Sequence, residues 1–450
     1  MASLLFRGGR LLDPRLDALV EGVEVLIEGD CVKEVSRPDG APSSIRGPIR
    51  ADHATRIDLG GRTLMPGLID AHVHIFISKL PLAALESMPL TLLAVSASVL
   101  MRRMLMRGFT TVRDTAGGDF GMKAACEAGL VEGPRLFISG MAMSQTGGHG
   151  DYRRRTQGAV ECPCSAGLHY LARIVDGVPE MLRAVRDELR KGADHIKLMV
   201  SGGVASPDDP LESLQFRLDE IEAACQEANN WGKYVCAHAY SAEAIRRAVR
   251  SGVRTIEHGN LIDESAAQLM AEKKAFLVPT LVTYDAMSRR GEEIGLPEES
   301  RRKNEDVRRA GLKSLKLARA AGVEIGFGTD LLGQLHEEQS REFLIRYDQG
   351  DGELPSEIIG SATWINAKIL QHEGQLGELV PRACADLLVV DGDPLKDLKL
   401  LQDQGAHLAA IMKGQVLQEL PHLLRSFWLW VGCTGASTTW SVWPISWGRR

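Results

Sequence analysis

The sequence lacks any sustained basic stripe. Its 53 Lys and Arg residues stand against 59 Asp and Glu residues, which gives a formal net charge of −6. The short basic clusters at 153–155 and 301–303 are typical of solvated loops or helix faces. Because nucleic-acid-binding domains usually carry a strongly basic face, we predict that nucleic acid is not a partner.

Long hydrophobic runs are also missing. The most apolar helix-like stretch, from Leu90 to Met101, is too short to span a bilayer. It fits a barrel helix that buries one face, and an oligomer contact is the alternative. The opening MASLLFRGGRLLDP has only a very short apolar run, broken by Arg and Gly, and does not match a secretory signal. We therefore predict no membrane association.

Cysteine is sparse for a chain of this length. The eight cysteines do not form a disulfide framework, and Cys126 and Cys225 lie within helix-like stretches. Cys162 and Cys164 could bind a metal or form a crosslink, although free loop thiols fit them better. This usage indicates a reducing compartment, so we predict a cytoplasmic protein.

Five segments carry the side chains that point to chemistry. Each lies at or just after a short apolar run of β character, and Gly- or Ala-rich helical stretches fill the intervals. The segments contain His72 and His74 in IDAHVHIF, Lys197 in HIKLMVSGG, His238 in CAHAY, His258 in TIEHGN, and Asp330 in GFGTDLLG. A (β/α)8 barrel presents side chains in this way at the C-terminal ends of its strands.

These residue types suit a pair of divalent metal ions. His72 and His74 project to the same side of a strand and can bind one cation. His238 and His258 are twenty residues apart, close to one strand plus one helix, and could serve a second metal from adjacent strands. Imidazole nitrogens and carboxylate oxygens hold such ions, and two ions about 3.5 to 4 Å apart need a shared anionic bridge.

Lys197 is a candidate for this bridge. A buried lysine has a lowered pKa, and its neutral amine can take up carbon dioxide to form a carbamate with two oxygens. The alternative is an ordinary lysine at the end of a strand that pairs with Asp194. Its position between the HxH motif and the later histidines favours the bridge.

The ordered motifs resemble the amidohydrolase superfamily, in the branch of prolidase-like dipeptidases and carboxypeptidases that includes fungal ochratoxinase. The resemblance covers roughly residues 3 to 415. It rests on LMPGLIDAHVH, GFTTVRDTAG, GPRLFISGMAMSQTGGHGD, HIKLMVSGGVASPDD, GTDLLGQLHEEQSREF and ADLLVVDGDP. It implies an α/β fold with a TIM barrel over 66–372 and a small β-sandwich domain built from 1–65 and 373–418. Strand-like runs at both chain ends agree with this, although they could be independent additions.

The resemblance also implies a role for each residue. One metal would be bound by His72, His74, Lys197 and Asp330, and the other by Lys197, His238 and His258, with a hydroxide bridging both. Asp330 would take the proton of this hydroxide and pass it to the leaving amine. His149 and Tyr240 would hold the substrate carboxylate or the oxyanion, or else serve as packing groups. Zinc is the default metal, but manganese, cobalt or iron would also fit.

The substrate implied by the resemblance is a small peptide or N-acyl amino acid. The loops SQTGGHGD and GTDLLGQLHEEQS look more like bacterial dipeptidases that act on Xaa-Pro or Xaa-Arg/Lys bonds. Ochratoxin-type N-acyl amino acids and cyclic amides of the imidazolone or hydantoin type are the alternatives. A catalytically inactive barrel that serves as a scaffold would be a different class of protein. Such a barrel would be marked by the loss of metal ligands, and none of the six ligand positions is missing. We also predict a homo-oligomer.

Other features are assigned more modest roles. We predict surface or structural roles for the remaining histidines, except that His336 could line the pocket or be solvated: His53, His169, His195, His372, His407 and His422. VPTLVTY is predicted to be a strand, followed by a charged, solvent-facing loop over 285–304. The segment 419–450 carries five of the seven tryptophans and does not look like the usual family ending.

Overall fold

The structure is a computed structural model that describes residues 3–80, 82–85, 88–153, 171–206, 209–350, 352–414 and 416–419. Cys162, Cys164, His169, His422 and all but the first residue of the predicted tail lie outside the described residues. None of the described helices is long and apolar enough to cross a bilayer.

The strands fall into an N-terminal group, a central parallel group and a C-terminal group. They are β1 (Ser3–Leu11), β2 (Val20–Glu28), β3 (Cys31–Ser36), β4 (Thr55–Asp58), β5 (Thr63–Pro66), β6 (Leu68–Val73), β7 (Phe109–Asp114), β8 (Arg135–Ile138), β9 (Ala142–Ser144), β10 (Ala172–Ile174), β11 (Ile196–Met199), β12 (Val235–Ser241), β13 (Thr255–Leu261), β14 (Phe276–Val278), β15 (Leu387–Val390), β16 (Leu408–Lys413) and β17 (Val416–Glu419).

Helices lie between the central strands and after them. They are α1 (Leu90–Met106), α2 (Phe120–Glu127), α3 (Val178–Arg190), α4 (Leu218–Asn230), α5 (Ala242–Arg250), α6 (Glu264–Glu272), α7 (Leu281–Arg290), α8 (Glu298–Ala321), α9 (Arg341–Gln349), α10 (Pro355–Gly360) and α11 (Asn366–Ile369).

Strands from both chain ends form one eight-stranded sheet in the order β17-β16-β15-β5-β1-β2-β3, with β4 also paired to β1. A register shift between Phe6 and Gly9 lets the first half of β1 pair with β4 and its end pair with β5. The apolar core of this sheet mixes both ends, since Val25 and Val32 pack in the same cluster as Leu387. The predicted composite β-domain is therefore confirmed.

The central strands run parallel, as expected for an α/β barrel. They form a three-stranded sheet, β6-β7-β8, and a six-stranded sheet, β10-β9-β11-β12-β13-β14. Backbone hydrogen bonds bridge the two gaps between these sheets: Asp194 N donates to Ile138 O (2.8 Å) at one gap, and at the other Ala71 N of β6 donates to Phe327 O (2.9 Å), in a segment whose Ile325 forms a parallel bridge to β14. The predicted (β/α)8 architecture is confirmed. At the gaps between the two sheets, isolated hydrogen bonds take the place of a continuous ladder.

The helix α5 illustrates why these segments fold as they do. Its N-cap Ser241 accepts a hydrogen bond from Ala244 N (3.3 Å), which satisfies one of the amides that a helix start leaves unpaired. Ile245 and Val249 are four residues apart and face the core, whereas Arg250 is exposed. Fully burying a side chain such as Ile245 stabilises the fold by about 1.5–3 kcal/mol.

The helix α1 packs on the barrel by one face, as predicted. Its buried residues include Ala97 and Met101. The opposite face exposes an apolar stripe at Leu92, Val95 and Val99, spaced at helical intervals.

One predicted element is wrong. VPTLVTY is not a strand throughout, because β14 ends at Val278 and the helix α7 begins at Leu281. Thr280 has a left-handed backbone (φ 48°), and a carboxyl oxygen of Glu342 accepts a hydrogen bond from Val282 N (2.7 Å), which caps the new helix. The predicted loop over 285–304 is likewise mostly helical, since it holds the end of α7 and the start of α8.

Candidate metal centre and active site

Six predicted ligand side chains meet at the C-terminal ends of the parallel strands. They come from β6 or the residue just after it, from β11, β12 and β13, and from the segment after Phe327. All six line one cavity: His72, His74, Lys197, His238, His258 and Asp330. Residues that are as far apart as 258 positions in sequence are thus brought together because parallel strands share one edge.

The Asp330 carboxylate lies at the centre of this group. Its Oδ1 is 2.9 Å from His74 Nε2 and 3.4 Å from His72 Nε2, and its Oδ2 is 4.0 Å from His258 Nδ1. Burial acts to raise its pKa, but the adjacent imidazoles hold the pKa of Asp330 well below its ordinary value. Its backbone is left-handed (φ 50°), a conformation that Asp tolerates better than most residues. Asp330 is therefore an ionised carboxylate.

A fully buried ionic group orients His72. His72 Nδ1 lies 2.8 Å from Glu257 Oε2, while Glu257 Oε1 accepts hydrogen bonds from Arg113 Nη2 (2.8 Å) and Thr255 Oγ1 (2.6 Å). Burial would raise the pKa of Glu257, but the Arg113 guanidinium and His72 hold it well below its ordinary value. A carboxylate at Nδ1 fixes the proton there and leaves Nε2 free as a ligand.

His238 and His258 are oriented by other groups. His238 Nε2 lies 3.0 Å from the Gly202 carbonyl oxygen, and His258 Nδ1 lies 2.8 Å from Thr280 Oγ1. Burial, with nearby positive charge that includes Lys197, lowers the pKa of both histidines well below the ordinary value. Both are therefore neutral imidazoles, the form that binds metals. His74 differs, because Asp330 outweighs burial and raises its pKa.

Lys197 is buried in the cavity wall, with 1% of its surface exposed. Among the described residues its amine has no hydrogen-bond or ion-pair partner. Asp194 instead binds Lys123 Nζ, at 2.7 and 2.8 Å, so the alternative Lys197–Asp194 pair does not form. Two neutral imidazoles, an ionised carboxylate and a buried amine that can become a carbamate form a donor set that fits divalent cations.

His149 and Tyr240 lie beside the ligand group. The His149 ring stacks on His238 with centroids 4.3 Å apart, and its Nδ1 lies 2.5 Å from Ser206 Oγ. The Tyr240 ring is 4.8 Å from the His238 ring. Both residues line the cavity, so the structure brings the two predicted substrate-binding residues next to the predicted ligands.

The other described histidines stand apart from this cavity. His336 is buried, its Nε2 lies 3.0 Å from the Ile77 carbonyl oxygen, and burial lowers its pKa to about 3. The expectation that it could be solvated is therefore wrong. His195 is buried against Tyr234 with ring centroids 5.5 Å apart, in agreement with a structural role.

Several residues of the site were missed by the sequence reasoning. Arg113 and Glu257 lie in strands whose residues are nearly all buried, and a charged residue inside such an apolar run is a signal that a buried partner exists. Thr280 and Tyr284 gave no comparable signal, because they lie in VPTLVTY, whose β-branched and aromatic residues are typical of a strand.

A parallel α/β barrel with histidines, a lysine and an aspartate converging at its strand ends defines a barrel-type hydrolase with a site suited to metal ions. The chain belongs to the amidohydrolase family, whose sequence profile matches residues 63–417. It is therefore a hydrolytic enzyme that acts on amide bonds.

Individual relatives agree with this assignment. Ochratoxinase of Aspergillus niger is 33% identical over 371 residues, which cover 80% of this chain and 76% of that protein. A crystal structure described as an amidohydrolase has a TM-score of 0.88 and 49% identity, and covers 93% of this chain and 99% of that one. A prolidase solved with N-methylphosphonate-L-proline has a TM-score of 0.87 and 45% identity, with coverage of 93% and 100%.

Proposed function

We propose that the protein is a binuclear metal-dependent amide hydrolase that releases a C-terminal amino acid from dipeptides or N-acyl amino acids. The observation that carries this proposal is the convergence of the six ligand side chains on one cavity around the Asp330 carboxylate. The named activity of the prolidase relative supports Xaa-Pro dipeptides as the first substrate class.

The residues divide into two overlapping ligand sets. One metal would be held by His72, His74, Asp330 and carboxylated Lys197, and the other by Lys197, His238 and His258. When bound, two such ions, zinc by default, polarise an amide carbonyl and lower the pKa of water.

Asp330 moves the proton in this proposal. As an ionised carboxylate next to the ligand imidazoles, it accepts the proton that the attacking water loses. Because its conjugate acid has a lowered pKa, that acid readily gives the proton to the leaving amine nitrogen.

The cavity walls support a substrate with one polar and one apolar end. His149 and Tyr240 offer hydrogen-bond donors to a carboxylate or oxyanion on one side. Apolar side chains line other parts of the wall, among them Ile77, Met287 and Leu332. The ochratoxinase relative supports ochratoxin-type N-acyl amino acids as the second substrate class.

Three further properties are part of the proposal. The exposed apolar stripe on α1 supports a homo-oligomer, because such a stripe is costly to leave in water. Free buried thiols such as Cys225 support a reducing, cytoplasmic location. The barrel boundaries at 66 and 372 lie close to the end of β5 and to the end of α11.

Amino-acid release from a substrate panel tests the proposal. Protein reconstituted with zinc and bicarbonate is incubated with Xaa-Pro, Xaa-Arg, Xaa-Phe, N-acyl amino acids and a hydantoin. We expect release of one class of C-terminal residue, and none by Asp330→Asn. Ring opening of the hydantoin without any amino-acid release would overturn the carboxylate-binding role of His149 and Tyr240.

A further inference from the structure

The cavity contains a second tyrosine that the ligand set does not use. Tyr284 is 1% exposed, lines the cavity, and places its hydroxyl 2.9 Å from the hydroxyl of Tyr240. Two phenols at this distance share one hydrogen, so one donates and the other keeps its own proton free for a different acceptor. The direction of this bond therefore decides what Tyr240 can offer to a substrate.

The neighbours of Tyr284 set that direction. Thr280 is four residues earlier, at the start of the same helical turn, and its Oγ1 lies 2.8 Å from His258 Nδ1. In the proposed ligand set His258 binds metal through Nε2, which places its hydrogen on Nδ1 as a donor to Thr280. The Thr280 hydroxyl then has its own proton available for the Tyr284 oxygen.

The ionisation of the two phenols agrees with this order. Burial raises the pKa of Tyr284 well above its ordinary value, and Thr280 acts in the opposite direction, as a donor to the phenol oxygen does. Burial also raises the pKa of Tyr240, while its hydrogen bond with Tyr284 acts to lower it. Both phenols are thus neutral at neutral pH and available as hydrogen-bond donors.

We infer that Tyr284 is a positioning residue that donates to the Tyr240 oxygen and thereby directs the Tyr240 proton into the cavity. The relay runs from His258 through Thr280 and Tyr284 to Tyr240, and each proton stays on its own atom. This inference rests on the proposed function, because it assigns the Tyr240 proton to an anionic oxygen of the substrate.

The helix that carries Tyr284 is fixed from two sides. Asn304 Nδ2 donates to the Tyr284 carbonyl oxygen (3.0 Å), and a carboxyl oxygen of Glu342 accepts from Val282 N (2.7 Å). The Tyr284 hydroxyl is therefore held before substrate arrives, which is what preorganised stabilisation of a developing charge requires.

A double-mutant cycle tests the relay. Tyr284→Phe removes only the hydroxyl, and we expect kcat/KM for an Xaa-Pro dipeptide to fall about five- to tenfold, as for the loss of one buried hydrogen bond. Binding of a non-hydrolysable N-phosphonate dipeptide analogue is measured alongside by calorimetry, and should weaken by a similar factor while metal content stays unchanged. Tyr347→Phe, at a tyrosine that is 49% exposed on α9, is the matched control.

The double variant separates positioning from packing. If Tyr284 acts through Tyr240, the Tyr240→Phe, Tyr284→Phe double variant should be no worse than Tyr240→Phe alone. The relay would be overturned if the two single losses of kcat/KM multiplied in the double variant. It would also be overturned if Tyr284→Phe left kcat/KM unchanged while Tyr240→Phe lowered it. Either result would leave the proposed function intact. A silent Tyr240→Phe would instead remove the substrate-binding role of Tyr240, and the relay with it.

Discussion

Replacing Glu257 by Gln should weaken both the fold and the proposed metal site. Three donors converge on its carboxylate: Arg113 and Thr255 on Oε1, and His72 Nδ1 on Oε2. A glutamine side chain has only one acceptor oxygen, so it cannot serve both sides. Arg113 and Glu257 are both fully buried, and breaking such a pair costs about 3–5 kcal/mol.

The second effect falls on His72. If the amide oxygen of the substituted side chain faces Arg113, its NH2 group faces His72 Nδ1, which must then accept a hydrogen bond. That reverses the tautomer, puts the hydrogen on Nε2 and blocks the nitrogen that faces Asp330. Loss of such an orienting partner typically lowers metal affinity about 10- to 100-fold.

Two assays follow the two effects. Guanidinium unfolding of metal-free protein gives the stability change, and competition with a chromophoric chelator gives the metal affinity. Glu243→Gln, at a side chain that is 49% exposed and paired with Arg246, is the control and should change stability by less than about 1 kcal/mol. A Glu257→Gln protein with wild-type stability and wild-type metal affinity would refute the reasoning.

The pH dependence of this effect has a defined sign. Because Arg113 and His72 hold the pKa of Glu257 below its unfolded value of about 4.3, its contribution is fully present above that pH. The contribution is lost as pH falls through the lowered folded value. The stability gap between wild type and Glu257→Gln should thus be constant above about pH 5 and shrink only in acid.

Three other predictions concern different parts of the fold. Burial raises the pKa of Glu342 to about 8, above the unfolded value of about 4.3. The contribution of this side chain to stability is therefore lost as the pH rises from about 4.3 to about 8. The Tm of Glu342→Gln, measured by calorimetry, should accordingly rise relative to that of the wild type between pH 5 and pH 8. Ile245→Ala should cost about 2–5 kcal/mol in denaturant unfolding while kcat per folded molecule stays unchanged, and a loss of kcat would contradict its purely structural role. Buried Lys303 donates to the carbonyl oxygens of Ser206 (2.9 Å) and Asp209 (2.6 Å), so Lys303→Met should release the loop beside His149 and raise KM about tenfold in steady-state kinetics, and an unchanged KM would contradict this.

The convergence of the proposed ligand side chains could be predicted because their signals are local. His72, Lys197, His238 and His258 each lie at or just after an apolar run, and the ends of parallel strands meet at one edge. The composite sheet was also predictable, since strand-like runs occur at both chain ends.

The orienting contacts could not be predicted, because they join residues that are far apart in sequence. Arg113 and Glu257 are 144 positions apart, and only the barrel brings them together. Thr280 and Tyr284 lie in a segment rich in β-branched and aromatic residues, which favours a strand. The start of the helix is capped by Glu342, which is distant in sequence. The local composition of the segment therefore does not predict this contact.

The count of metal ions per chain, measured by elemental analysis beside activity, tests the central claim most directly. We predict two ions per active chain after reconstitution with bicarbonate, and the joint loss of bound metal and activity in Lys197→Ala. Zinc and bicarbonate together should restore activity to the wild-type apoprotein and not to this variant. A fully active chain with one ion, or a fully active Lys197→Ala protein, would contradict the binuclear site bridged by carboxylated Lys197.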